Sequence, residues 1–233
     1  HVTTVWVIVD IFTQYYDINI GKDVLNFLKM CNVNINVIFP RNSIVAMISH
    51  GFLNEARNTL KLLHSQLSNM TKNDLIVGIE PSEVMVWRDE AKSLIKGSHL
   101  NVLLFEELLL KLDQLKALPK FNALNSKVWV YEHCHQKSLA ETCNLTKSLG
   151  LIPKLQIKII DGGCCGMAGD FGYKHPEVSE DIAHNSLDTY INKIQDQDML
   201  IATGTSCRKQ ILDVFKTQST HLPRLFIKSI EAE

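Results

Sequence analysis

Four of the six cysteines stand in settings that favour chemistry over packing. Cys164 and Cys165 are adjacent within the glycine-rich stretch IIDGGCCGMAGDFGY, and the other two, Cys134 and Cys207, lie in the stretches EHCHQ and GTSCR. Adjacent cysteines seldom form a disulfide with each other, because the ring would be strained. Glycine permits tight and left-handed backbone, which can direct two thiolates to one place. The pattern C-x29-CC-x41-C therefore predicts a shared thiolate site.

Three chemistries suit such a site. An iron–sulfur cluster binds soft thiolates, and adjacent cysteines can reach two different irons of one cluster. Structural zinc also takes four cysteines, although usually as closely spaced pairs. A thiol–disulfide enzyme would need an exposed thiol of low pKa and a resolving partner. The remaining cysteines, Cys31 and Cys143, fall on helical patterns and are expected to be packing residues.

The sequence contains an internal repeat. The stretch VWVIVDIFTQYYD at 5–17 resembles VWVYEHCHQKSLA at 128–140, and two later pairs of stretches match at offsets of 122 and 124 residues. The alignment places residues without thiols in the first half opposite every cysteine of the pattern: Ile11 opposite Cys134, Asn42 and Ser43 opposite Cys164 and Cys165, and Glu83 opposite Cys207. We therefore expect a duplicated unit whose first copy lacks the thiolate site.

Each half alternates short apolar runs with helical patterns. Runs such as VWVIV and MLIAT are typical of parallel strands buried on both faces. The alternation predicts an α/β fold of two tandem βαβ-type repeats with parallel sheets and flanking helices. The expected organisation is a first repeat at 1–116, a linker at 117–126 and a second repeat at 127–233 that carries the cysteines.

The predicted strands place the four cysteines at one edge of one sheet. Each cysteine position follows the carboxyl end of a predicted strand, where open α/β sheets bind their ligands. Helix N-termini at that edge favour thiolate over thiol. His135 is expected beside the site, while Lys137 and Arg208 either offset its negative charge or are simply solvated at helix starts.

Composition and charge exclude several other functions. The chain has 233 residues, a net charge of -1 and 45% hydrophobic residues, which gives no basis for binding nucleic acid or an anionic membrane. The sequence contains no apolar run long enough for a transmembrane helix. Six cysteines are too few for a secreted disulfide scaffold, and the first residues resemble a buried strand more than a signal peptide. A cytoplasmic location is expected, with peripheral attachment at the inner face of the membrane as a variant of it.

The motifs EHCHQKSLA, DGGCCGMAGDFGY and GTSCRKQI resemble the CCG-type cysteine-rich domains of iron–sulfur redox proteins. These motifs are most similar to the C-terminal iron–sulfur portion of FAD-linked D-2-hydroxyacid dehydrogenases of the lactate and glycolate type. The resemblance covers nearly the whole chain as two repeats. It implies that the cluster ligands are Cys134, Cys164, Cys165 and Cys207, with His135, Gly163, Gly166 and Gly204 around them.

Two departures from this family limit what the resemblance implies. The first repeat lacks the cysteines that the family often carries there, so no cluster is expected in it. The fullest family pattern ends in C-x-x-C, and here Gly204 stands at the earlier position. An ordinary four-cysteine [4Fe–4S] cluster is therefore expected rather than a five-cysteine one, with zinc as the alternative metal.

The resemblance implies an electron-transfer module of an oxidoreductase. Electrons would pass from a flavin that oxidises a small 2-hydroxyacid, through the cluster, to a quinone or another carrier. The FAD-linked oxidase domain, and any ferredoxin-like iron–sulfur domain, would lie upstream or on a partner protein. No catalytic residue and no stand-alone activity are expected in this chain. A zinc-stabilised docking domain and a thiol–disulfide reductase component remain the alternatives.

Overall fold

The computed structural model describes residues 3–96, 100–141 and 143–231. The chain divides into two compact units, 1–120 and 121–233. Each unit is built around its own parallel sheet, and helices flank both sheets. The predicted α/β class with parallel sheets is therefore confirmed.

The first unit has a four-stranded sheet in the order β2-β1-β3-β4. Its strands are β1 Thr4–Ile8, β2 Asn34–Ile38, β3 Leu75–Gly78 and β4 Val102–Leu103. Its helices are α1 Ile11–Tyr15, α2 Ile18–Met30, α3 Ile44–Ser49, α4 Leu53–Gln66, α5 Pro81–Arg88, α6 Glu90–Leu94 and α7 Phe105–Gln114. The central strand β1 is apolar and mostly buried, whereas β2 at the edge is half exposed.

The second unit has a three-stranded sheet in the order β6-β5-β7. Its strands are β5 Lys127–Tyr131, β6 Gln156–Ile159 and β7 Met199–Ala202. Its helices are α8 Cys134–Leu139, α9 Cys143–Leu149, α10 Phe171–Lys174, α11 Pro176–Ile191, α12 Thr205–Phe215 and α13 Leu222–Glu231. Thr220 pairs with β7 through a single parallel bridge to Ile201, at the place where β4 pairs with β3 in the first unit.

The three strands of the second sheet have the same order and register as β2-β1-β3 of the first sheet. Val5 of β1 pairs with Ile35 and Leu75, and Val128 of β5 pairs with Ile157 and Met199. These pairings connect positions that the internal repeat aligns. The shared register therefore supports the proposed duplication.

The six apolar runs that predict strands all form strands: VWVIV, NVIF, LIVGI, VWVYE, LQIKII and MLIAT. Two sequence patterns that each predict one helix are divided. VMVWRDEAKSLI at 84–95 splits into α5 and α6 at Asp89, and SLAETCNLTKSLG at 138–150 splits into α8 and α9 after Ala140, which is extended. The second split corrects the prediction for Cys143, which begins α9 and is exposed rather than packed. Cys31, by contrast, is 7% exposed, as a packing residue should be.

Candidate metal centre

Cys134 begins α8 directly after the carboxyl end of β5. His133 caps the helix, because its ring nitrogen Nδ1 accepts a hydrogen bond from the backbone N–H of His135 at 3.3 Å. This turn leaves Cys134 as the exposed member of the predicted ligand set. Cys134 is therefore the first residue of a short helix.

Cys164 and Cys165 lie between β6 and α10, in a segment at 160–170 that we call the adjacent-cysteine loop. Cys164 is half-buried and Cys165 is buried. The turn after them requires glycine, because Gly166 has a φ of +90° and a Cβ there would lie 2.2 Å from the carbonyl oxygen of Ser179. The glycines around these cysteines thus serve to bring the backbone close to α11.

Cys207 lies in the first turn of α12, after the carboxyl end of β7, and is 1% exposed. Gly204 is the N-cap of that helix and lies against the ring of His133. A Cβ at position 204 would lie 2.4 Å from Cδ2 of His133 and 3.3 Å from Sγ of Cys207. A cysteine at this position, as in the fullest family pattern, would require the His133 ring to move.

The structure brings the four predicted cysteines together as a linked series of thiols. Cys134 interacts with Cys164, Cys164 with Cys165, and Cys165 with Cys207. The contact with Cys164 and burial raise the pKa of Cys134, and similar contacts raise the pKa of Cys165. Hydrogen-bond donation from Cys134 and Cys165 lowers the pKa of Cys164. Negative charge is therefore most stable on Cys164.

Backbone N–H groups point at three of the sulfurs. The N–H of Gly166 donates to Sγ of Cys164 at 3.4 Å. The N–H of Met167 is directed at Cys165, and the N–H of His135 at Cys134. Such bonds stabilise thiolates and are one of the means by which proteins tune iron–sulfur sites. His135 thus faces the site with its backbone.

The structure also places residues at the site that sequence analysis did not single out. Tyr131, the last residue of β5, is 1% exposed and packs in one apolar cluster with Cys165 and Cys207. The His133 ring lies against Gly204. The repeat alignment contained a signal for Tyr131, because an apolar Ile8 occupies the equivalent position in the half without cysteines.

The two predicted cations make structural contacts with backbone carbonyls. Lys137 donates to the carbonyl oxygen of Gly162 at 3.1 Å. Arg208 is buried and donates to the carbonyl oxygens of Ala202 and Thr203, at 2.7 and 2.9 Å. Both residues therefore hold the loops that carry the cysteines, in addition to any effect of their charge.

In the first unit, a carboxyl group occupies the position that aligns with Cys207. Glu83 accepts hydrogen bonds from the hydroxyl of Ser43 and from the backbone N–H of Ile44, the latter at 3.2 Å. Burial raises the pKa of Glu83 to about 8, and burial together with the charge of Glu80 raises the pKa of Asp10 to about 6. In the first unit, hydrogen bonds to the Glu83 side chain thus join the loops whose equivalents in the second unit carry thiols.

Within the parts of the chain that the structure describes, no group of three or more His, Cys, Asp or Glu side chains is arranged to hold a metal ion. The thiols are linked pair by pair instead. The donor set nevertheless fits an iron–sulfur cluster, because a cluster binds each thiolate at a separate iron. Among the described helices, none is long and apolar enough to cross a membrane.

Comparison with known proteins confirms the resemblance to dehydrogenases at the level of sequence. The chain is 28% identical to D-2-hydroxyglutarate dehydrogenase of Escherichia coli, over 98% of this chain and 23% of that protein. It is also 28% identical to the enzyme of the same name from Haemophilus influenzae, over 88% of this chain and 21% of that protein. One component protein of the anaerobic glycerol-3-phosphate dehydrogenase of Escherichia coli is 24% identical over 70% of this chain and 43% of that protein.

The chain thus spans less than half the length of the curated relatives it matches. No family model matches it. Among solved structures, an aspartate racemase of Picrophilus torridus aligns with 98% of this chain and 94% of its own, at a TM-score of 0.39 and 13% identity. That similarity is too low to carry a conclusion.

Proposed function

We propose that this chain is an iron–sulfur electron-transfer module of a flavin-linked dehydrogenase. In this proposal Cys134, Cys164, Cys165 and Cys207 hold a [4Fe–4S] cluster. The observation that carries it is the linked series of four thiols at the carboxyl edge of the second sheet. Such a cluster, when bound, carries one electron at a time between donor and acceptor.

The chain's own residues would set the conditions for that transfer. The N–H groups of His135, Gly166 and Met167 are directed at sulfurs and favour their charged form. The buried side chains around Cys165 and Cys207 exclude water from the inner half of the site. The exposed position of Cys134 gives the site an accessible side, on which an electron donor or acceptor could approach.

The names of the relatives support a 2-hydroxyacid as the electron source. Several of them are D-2-hydroxyglutarate dehydrogenases. Oxidation of a 2-hydroxyacid to the 2-oxoacid releases two electrons and two protons, which a flavin on another part of the protein or on a partner would take up. This module would then receive the electrons singly and pass them to a quinone or another carrier.

Metal analysis of protein purified without oxygen tests the cluster directly. We expect about four irons and four acid-labile sulfides per chain, and an EPR signal after reduction with dithionite. Cys164→Ser should abolish the signal and the bound sulfide. Cys143→Ser is the matched control, because that cysteine is outside the site, and should leave both unchanged.

Two results would contradict the proposal. One zinc per chain without sulfide would assign the site to a zinc-stabilised docking domain. Turnover of lactate, glycolate or 2-hydroxyglutarate by the isolated chain would contradict the assignment of the oxidation step to a separate flavin domain.

A further inference from the structure

We propose that Tyr131 is a positioning residue that fixes the adjacent-cysteine loop through its hydroxyl, so that Cys164 and Cys165 face the other two thiols. The purpose of this contact rests on the proposed cluster site. The contact itself belongs to the chain and can be tested at any metal content.

The geometry connects the strand before one cysteine to the loop that carries two others. The hydroxyl of Tyr131 donates to the carbonyl oxygen of Gly163 at 2.6 Å, and Gly163 directly precedes Cys164. Tyr131 itself lies three residues before Cys134 in the chain. One short hydrogen bond from a buried side chain therefore joins two of the three segments that supply thiols.

The loop needs such support because regular structure does not provide it. In the structure, residues 160–170 form neither strand nor helix, and the backbone–backbone hydrogen bonds of this stretch lie at its two ends, at Ile160 and at residues 167–170. Four glycines in that stretch, at positions 162, 163, 166 and 169, increase its freedom further. Side-chain bonds to its carbonyl groups must supply the order that two adjacent thiols require.

Comparison of the two units shows that the Lys137–Gly162 bond is common to both, whereas the Tyr131–Gly163 bond occurs in the unit with cysteines. Lys137 donates to the carbonyl oxygen of Gly162, and its equivalent Gln14 donates to the carbonyl oxygen of Pro40 at 2.8 Å. Pro40 aligns with Gly162 in the repeat. Both units therefore keep this bond, with or without cysteines, and it is part of the shared fold.

The tyrosine hydroxyl has no such counterpart. Ile8 occupies the equivalent position in the first unit, with the rest of the strand almost unchanged as VWVIV against VWVYE. The isoleucine packs but cannot donate a hydrogen bond. The hydrogen bond from Tyr131 to Gly163 thus occurs in the unit whose loop at 160–170 carries the adjacent cysteines.

The packing of the phenol holds its hydroxyl towards the loop. Tyr131 is 1% exposed and packs in one cluster with Cys165 and Cys207, so its ring has little freedom to turn the hydroxyl away from Gly163. The ammonium of Lys137 lies 5.7 Å from the centre of the Tyr131 ring and adds a cation–π contact that orients the ring.

Hydrogen exchange on the full chain as purified tests the proposal. Tyr131→Phe removes the hydroxyl and keeps the ring, so the fold should persist. We expect amide exchange at residues 163–167 to become about fivefold faster, the effect of one lost buried hydrogen bond, with exchange in β5 and β7 unchanged. Tyr190→Phe is the matched control, because its ring packs against the same apolar cluster and its hydroxyl donates to the carbonyl oxygen of Asp161 at 3.1 Å, three residues before Cys164 and not next to it. That variant should leave exchange at residues 163–167 as in the wild type.

Unchanged exchange at 163–167 in Tyr131→Phe would overturn the inference. Faster exchange throughout the second unit would also overturn it, because Tyr131 would then act through general packing.

Iron content and the EPR spectrum, measured on the same samples, separate this inference from the proposed function. At equal iron content, Tyr131→Phe should alter the EPR line shape and the midpoint potential, while Tyr190→Phe should not. An identical spectrum and potential would contradict a role towards the cluster. A wild-type protein without iron would contradict the proposed function, and the exchange measurement would still decide whether Tyr131 holds the loop.

Discussion

At the scale of single residues, the backbone at Gly166 decides whether the adjacent cysteines can lie where they do. Its φ of +90° is unfavourable for any residue with a side chain, and Ser179 fills the space that a side chain would need. The two costs are independent of each other. They can be separated because Gly51 has a similar φ of +82° with nothing within 4 Å of its Cβ position.

We expect Gly166→Ala to lower the free energy of unfolding by about 3 kcal/mol or more, from backbone strain and overlap together. Gly51→Ala should lower it by about 1 kcal/mol, from strain alone. Urea denaturation followed by circular dichroism measures both. Equal effects of the two substitutions would show that Ser179 moves aside at little cost.

The types and spacing of the cysteines predict which residues lie at the carboxyl edge of the second sheet. Cys134, Cys164 and Cys207 each follow a strand, and parallel strands bring their carboxyl ends to one edge. The partners of the sulfurs were harder to predict. Donation from the backbone N–H of Met167 and the inward position of Tyr131 depend on backbone turns and rotamers, which sequence periodicity does not specify.

At the scale of elements, Glu83 joins two helices of the first unit. It lies in the first turn of α5 and accepts hydrogen bonds from Ser43, which caps α3, and from Ile44. Asp10, at the start of α1, adds a second buried carboxyl group. The arrangement holds three helix starts at the carboxyl edge of the sheet.

This arrangement predicts that the first unit loses stability as pH rises. The pKa of Glu83 is raised from 4.5 to about 8, so the folded chain keeps a proton that the unfolded chain has released. Stability therefore falls between about pH 4.5 and pH 8. Glu83→Gln should gain on the order of 5 kcal/mol relative to wild type across that window, because each unit of pKa shift corresponds to about 1.4 kcal/mol. Thermal unfolding at pH 5 and pH 8 measures this.

Glu55→Gln on the exposed side of α4 is the control and should follow the pH dependence of the wild type. If Glu83→Gln also kept the full pH dependence of the wild type, the carboxyl group would be ionised in the folded chain.

Long apolar runs predicted the strands well, and short or mixed segments did not. The two-residue strand β4 is too brief for a pattern, and the apolar residues around it merge with the start of α7. The division at Asp89 arises from its irregular backbone, with φ of -119° and ψ of -80°, inside a continuous helical pattern. Such breaks depend on tertiary contacts that override local preference.

At the scale of the whole chain, the two units share contacts as well as strand order. The indole of Trp6 donates to Asp74, and the indole of Trp129 donates to Asp198, at 3.3 and 2.9 Å. These pairs occupy aligned positions in the repeat. The same scaffold thus occurs once with hydrogen-bonded carboxyl groups at its edge and once with thiols.

We expect metal removal to destabilise the second unit alone. Binding of a metal group to the folded state adds to stability by linkage, so a chelator with reductant should lower the unfolding free energy of that unit by a few kcal/mol. In Trp129→Phe, fluorescence reports the first unit through Trp6 and Trp87, and its urea midpoint should not change. The wild type should show an additional transition that shifts with chelation. If chelation also shifted the urea midpoint of Trp129→Phe, the two units would not unfold independently.

The exposure of the four cysteines decreases from one end of the site to the other. Cys134 is exposed and Cys164 is half-buried, while Cys165 and Cys207 are 4% and 1% exposed. Iron delivered during assembly, a passing oxidant and an alkylating reagent would all meet Cys134 first and Cys207 last. Assembly and damage would therefore both begin at the outer pair of sulfurs, and the burial of the inner pair determines how far either proceeds.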